Sequence, residues 1–118
     1  IARVKWLSWL NAVFALLVRS WLCASGKALP KNLHRATVAR VCAPAQAAQV
    51  DRMLPLLTEQ ELAYYRRGKN SHVHAAPKGA TPVQYAKATG LEALFGALYL
   101  AGQTERVNEL FRAAVAQC

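Results

Sequence analysis

No Asp or Glu occurs in the first fifty residues of this chain, and between Leu62 and Thr104 there is one, Glu92, in an otherwise apolar run. The same two stretches carry twelve of the fifteen Lys and Arg residues, so the net charge of +9 is concentrated rather than spread. Such a surface repels cationic partners and attracts polyanions, nucleic acid first and an anionic membrane face second. Cysteine is scarce. Cys23, Cys42 and Cys118 stand far apart with no Cys-x-x-Cys and no His at ligand spacing, a pattern that argues against a zinc site or a disulfide framework and for free thiols in a reducing compartment. Long uncharged runs are missing too. The longest, Trp6 to Val18, is thirteen residues, short of the ~20 needed to cross a bilayer, and reads as a buried core helix. No small-residue cleavage site follows it, which argues against a signal peptide, and the start at Ile1 without Met reads as a fragment or a processed chain. Sustained strand alternation, internal repeats and low-complexity tracts are also absent.

What is present is apolar residue at helical spacing. With 54% apolar content in 118 residues, one compact core is expected and two are not, so residues 1–118 form a single expected domain. From about Arg3 to Cys23, Trp6, Trp9, Phe14, Leu17 and Trp21 recur on nearly all sides and Gly26 closes the run. A helix buried against both its own domain and a partner has this pattern. Pro30 and Asn32 open a second, half-exposed helix over roughly Asn32 to Val41. Pro44 suits the first turn of a third, where its missing N–H goes unneeded, and a break is expected near Pro55. Thr58 and Glu61, three apart ahead of an apolar run, form the capping-box pattern of a fourth helix that should end at Gly68. A fifth runs from Pro82 to about Leu100 with Gly102 past its end, and Thr104 caps a sixth carrying Val107, Leu110, Phe111 and Val115. The fold class is all-α.

Arg66, Arg67, Gly68, Lys69 and Asn70 gather at the end of the fourth helix, where cations complement the helix dipole whatever else they do. The polar stretch that follows adds His72, His74 and Lys78 and no acid. A cationic arm of this kind can follow a phosphate backbone or enter the shallow minor groove of A-form RNA. With no Cys, Asp or Glu nearby, His72 and His74 suit phosphate contact, or no role, better than metal. Glu92 sits among Ala88, Leu91, Ala93, Leu94 and Phe95, where a charge is costly unless it is paired or holds a cation. An ion pair with Lys87 or with an Arg of a neighbouring helix is one outcome, and metal ligation is another. A hydrolytic Mg2+ site normally needs at least two carboxylates, and one is visible in the region.

Three segments resemble a known group: Leu29-Pro30-Lys31-Asn32-Leu33-His34, Arg66-Arg67-Gly68-Lys69-Asn70, and above all Tyr85-Ala86-Lys87-Ala88-Thr89-Gly90-Leu91-Glu92-Ala93-Leu94-Phe95-Gly96-Ala97-Leu98-Tyr99-Leu100. They are similar to Mini-ribonuclease III, the short branch of the ribonuclease III family without a separate double-stranded-RNA-binding domain. The likeness covers nearly the whole chain. It implies an all-helical ribonuclease III-like domain that dimerises through its N-terminal helix and contacts double-stranded RNA with the Arg66 to Asn70 cluster and the loop after it. In active members a divalent metal, held by an Asp of the first helix and a Glu of a later one, activates water against a phosphodiester, and Glu92 falls on that Glu. Active relatives read approximately Gly-Asp-Ala-(Ile/Val)-Phe-Glu in the first helix; this chain reads Leu10-Asn11-Ala12-Val13-Phe14-Ala15. Asn11 at the Asp position offers a neutral oxygen but neither charge nor base.

The three departures together point to a chain that has lost the reaction. The leading expectation is therefore a pseudoenzyme with no bound metal, or with Glu92 alone as ligand. It would be an RNA-bound structural subunit of a large ribonucleoprotein such as a mitochondrial or plastid ribosome or its assembly intermediate. Its expected partners are structured RNA, rRNA in particular, and a ribosomal or ribonuclease III-like protein in a homo- or heterodimer. No membrane is involved, and the matrix of the organelle is favoured over the cytoplasm. The second expectation is an active Mini-ribonuclease III that matures large-subunit rRNA with Mg2+ or Mn2+ held by Glu92, Asn11 and water. A third is a protein-interaction module that docks through Trp6, Trp9, Phe14 and Trp21.

Overall fold

Capping side chains and turn glycines set several of the helix boundaries. The computed structural model describes residues 2–26, 28–71 and 79–115, with residues 2–13 and Pro30 described as backbone alone. Helix α1 runs Ala2–Ser25 and closes where Gly26 takes a φ of +68°. The second helix begins later than expected: Pro30–Asn32 form a 3-10 turn, in which the Asn32 N–H donates to the Leu29 carbonyl at 2.8 Å, and α2 follows as Leu33–Val41. Helix α3 is Ala43–Met53, with Pro44 in its first turn, and a second 3-10 turn, Leu54–Leu56, makes the break around Pro55. Helix α4, Glu59–Lys69, opens on the capping box: the Glu61 N–H donates to the Thr58 hydroxyl at 3.2 Å and the Thr58 N–H to the Glu61 carboxylate at 2.9 Å.

Two boundaries differ from the sequence expectation. Helix α4 does not stop at Gly68 but continues through Lys69, because Gly68 is a packing residue inside the helix rather than its terminator. Helix α6, Thr104–Val115, takes its first backbone bond at the Gln103 carbonyl, from the Val107 N–H at 3.0 Å, so Thr104 is the first helical residue and not the cap. Helix α5, Pro82–Leu100, opens on a second capping box, Thr81 with Gln84. No strand occurs among the described residues, and no described helix is long and apolar enough to cross a membrane.

Helix α5 is apolar round most of its circumference because α1, α3, α4 and α6 all pack against it. The core joins Phe14, Val18 and Leu22 of α1 and Val50 and Met53 of α3 to Leu91, Leu94, Phe95 and Leu98 of α5 and to the Val107, Leu110, Phe111, Ala114 and Val115 stripe of α6. Its centre is aromatic. The Phe14 ring lies 5.5 Å from Phe95 and 5.9 Å from Phe111, and Trp21 meets Phe111 edge-on at 6.4 Å. Burial of each such side chain stabilises the fold by roughly 1.5–3 kcal/mol, enough to fix α5 at the centre. The guanidinium of Arg52 on α3 donates to the Ala114 carbonyl, tying α3 to the end of α6. The core thus holds α5, and with it Glu92, in register against α3 and α4.

Candidate functional site

Glu92 is partly buried on α5 and has no ion pair among the described residues. Its Oε1 accepts a hydrogen bond from the side-chain amide of Gln46 on α3 at 3.3 Å. Burial pushes the Glu92 carboxyl up from 4.5 to about 7, and the Gln46 bond opposes this. The ion pair with Lys87 that the sequence left open does not form. Lys87 instead meets Asp51 of α3 at 2.8 Å. At about 100° per residue, the five residues from Lys87 to Glu92 put the two side chains roughly 140° apart round the helix, so they face different neighbours.

Gln46 is the site residue that sequence reasoning missed. It is 1% exposed, and with Gln49, Val50 and Met53 it forms the inward stripe of α3 at spacings of three and four. Two glutamines on an inward stripe were a signal available in the sequence, since an amide at a core position needs a polar partner. Gln49 finds one by donating to the Arg40 carbonyl at 3.1 Å, and Gln46 finds Glu92.

The cationic end of α4 is held beside the same turn of α5. A Cβ on Gly68 would stand 2.9 Å from the Thr89 carbonyl oxygen and 3.1 Å from the Gly90 Cα, and closer still to the Ala93 Cβ. A Cβ on Gly90 would stand 2.7 Å from the Tyr65 ring. Neither glycine has room for a side chain, so the two helices cross with backbones almost touching, one residue either side of Arg67 and Lys69 on α4 and within a turn of Glu92 on α5. Arg66 and Arg67 are exposed, Lys69 is half-buried, and none of the three forms an ion pair among the described residues. Asn70 is the exposed C-cap, its N–H donating to the Arg66 carbonyl at 2.9 Å. His72, His74 and Lys78 lie outside the described residues, as do the side chains of Leu10, Asn11, Trp6 and Trp9; the Asn11 backbone is part of α1, one turn ahead of Phe14.

The carboxylate oxygens of Glu92 suit a hard divalent cation in kind. They fall short in number of charges. No group of three His, Cys, Asp or Glu side chains able to hold a metal occurs among the described residues. A cation here would rest on the Glu92 carboxylate.

Three comparisons bear on this geometry. The Ribonuclease III domain family matches residues 8–103. The chain is 47% identical over 104 residues to the Mini-ribonuclease 3 of Symbiobacterium thermophilum, covering 88% of this chain and 80% of that one. It is 41% identical over 105 residues to the Mini-ribonuclease 3 of a Thermoanaerobacter species, covering 89% and 74%. A crystal structure of a Fusobacterium nucleatum protein superposes with a TM-score of 0.81 at 25% identity, covering 95% of this chain and 91% of that one. With the matched segment spanning α5 and Glu92, and relatives of this similarity aligned over most of their length, the chain belongs to the ribonuclease III family, among the Mini-ribonuclease 3 proteins.

Proposed function

We propose that this chain is an endoribonuclease of the Mini-ribonuclease 3 kind that acts on double-stranded RNA, with large-subunit rRNA as its substrate. The observation that carries this reading is the state of Glu92, a partly buried carboxyl within a turn of the α4–α5 crossing, with a neutral amide where an ion-pair partner would stand. Its negative charge is therefore left for something that arrives from outside. Arg66 and Arg67, exposed and without acids, suit the phosphate backbone, and binding through several phosphates would weaken steeply with added salt. A divalent metal, when bound, supplies a Lewis acid and an activated water for phosphodiester cleavage. Glu92 would hold it with a neutral oxygen from Asn11 and with water. With Asn11 in place of an acid, the site is one charge short, the ion is held less firmly and cleavage is slow. Pairing of two copies through α1 belongs to the same proposal and is supported by Leu16, which is 61% exposed on that helix.

The names of the relatives favour this nuclease reading over the ribosomal subunit expected first. The second reading, RNA binding without cleavage, is favoured by Leu10, Asn11 and Ala15 in the first helix. Cleavage of a double-stranded RNA with Mn2+ separates them. The wild type is expected to cut slowly, Glu92→Gln to lose about a hundredfold or more and Asn11→Asp to gain about as much, all three binding RNA equally in calcium. Retained RNA binding with no product from either the wild type or Asn11→Asp would establish the second reading instead.

A further inference from the structure

Gln46 occupies a position that hydrocarbon would fill at lower cost. It is 1% exposed, on the same stripe as Val50 and Met53, and held in place by α3, whose first turn carries its N–H to the Cys42 carbonyl at 3.0 Å. A buried amide is costly unless it makes hydrogen bonds, and here the bond goes to a carboxylate that no described cation reaches. An amide at this point does two things that other side chains do not combine. Its N–H fixes the direction of the carboxylate, which a Met or Leu would leave free to turn. It brings no charge, whereas a Lys or Arg would neutralise the acid, as Arg106 does for Glu61 at 2.7 Å.

We propose that Gln46 is a positioning residue for cation binding at Glu92, orienting the carboxylate without neutralising it. The inference rests on reading Glu92 as a cation-binding group, and the two can fail separately. Because Gln46 already reaches Glu92, it also marks the place from which α3 can supply the charge that Asn11 withholds on α1.

Mn2+ alone is the probe, with binding to the full chain followed by electron paramagnetic resonance of the free ion and thermal unfolding measured in parallel. Glu92→Gln is expected to abolish binding at the site. Gln46→Met, close in volume, is expected to weaken it about tenfold or more with the melting temperature maintained, as loss of an outer partner of a metal ligand does. Gln46→Lys is expected to weaken it as far as Glu92→Gln does, and Gln46→Glu to tighten it about tenfold by adding a second carboxylate. If Gln46→Lys does not fold, the opposite shifts of the Met and Glu variants carry the test. Folded Gln46→Met and Gln46→Glu that bind Mn2+ like the wild type, while Glu92→Gln does not, would overturn the role of Gln46 and leave the reading of Glu92 standing. Unchanged Mn2+ binding in Glu92→Gln would overturn both.

Discussion

Glu61 and Glu92 are carboxyls withdrawn from solvent on neighbouring helices, and the fold treats them in opposite ways. Glu61 accepts from Nε and Nη2 of Arg106, at 2.7 and 2.8 Å, and from the Thr58 backbone N–H at 2.9 Å. Arg106 holds the Glu61 carboxyl below the usual carboxylate range, and it also donates to the Leu56 carbonyl, so one side chain of α6 fastens the start of α4 and the turn before it. Glu92 receives one neutral donor at 3.3 Å and is pushed up to about 7. An acid that serves folding is given a cation. An acid that the fold leaves without a cation is a candidate for use elsewhere, and the difference between these two residues is what makes Glu92 the candidate site.

The widest expected gap between them comes from removing the cation. Arg106→Met leaves Glu61 withdrawn and unpaired and is expected to destabilise the fold by about 3 kcal/mol in urea unfolding at pH 7. A loss under 1 kcal/mol would mean that Glu61 is not held as described. Glu92→Gln has the opposite sign. Because the folded-state value of Glu92 is raised from 4.5 to about 7, the folded protein favours the protonated acid, and ionisation opposes folding as pH rises through 7. Discounted for partial exposure, the glutamine is expected to stabilise the fold by on the order of 2 kcal/mol at pH 8 and by about a quarter of that at pH 5. An equal effect at both pH values would remove the contrast. Glu61, with its lowered value, is ionised across that window and contributes no slope there; its stabilisation is lost only as pH falls below 4.5. The smallest effect tests whether Lys87 serves Glu92 at all. Its partner Asp51 is 60% exposed, so Lys87→Ala is expected to cost about 0.5 kcal/mol and to leave the pH 5 to pH 8 difference of Glu92→Gln unchanged. A changed difference would show that Lys87 acts on Glu92 after all.

Much of the helical layout is legible residue by residue. The Thr58 and Glu61 pair announces α4, Pro44 announces α3, and the stripe from Val107 to Val115 announces α6, because caps and amphipathic faces depend on residues within a turn or two of each other. Gly68 misleads for a physical reason. A glycine after a helical run is the usual terminator, yet here its missing side chain is needed for the approach of α5, which no local pattern reveals. Glu92 stands out in the sequence as the lone acid in hydrocarbon. Its partner does not, since Gln46 lies 46 residues earlier and on another helix.

The sequence by itself determined the all-helical class, the concentration of cations and the presence of one carboxyl where hydrocarbon prevails, all properties of composition and of neighbours within a few residues. Only the tertiary structure decided which groups meet. The Gly68–Gly90 crossing sets the end of α4 against the turn of α5 that precedes Glu92, α3 turns Gln46 toward that carboxyl, and the geometry of α5 sends Lys87 to Asp51 instead. That division follows from range: helix formation is settled within about four residues, whereas the pairing of side chains across helices depends on where close-packed backbones cross, and that is fixed by the whole core at once.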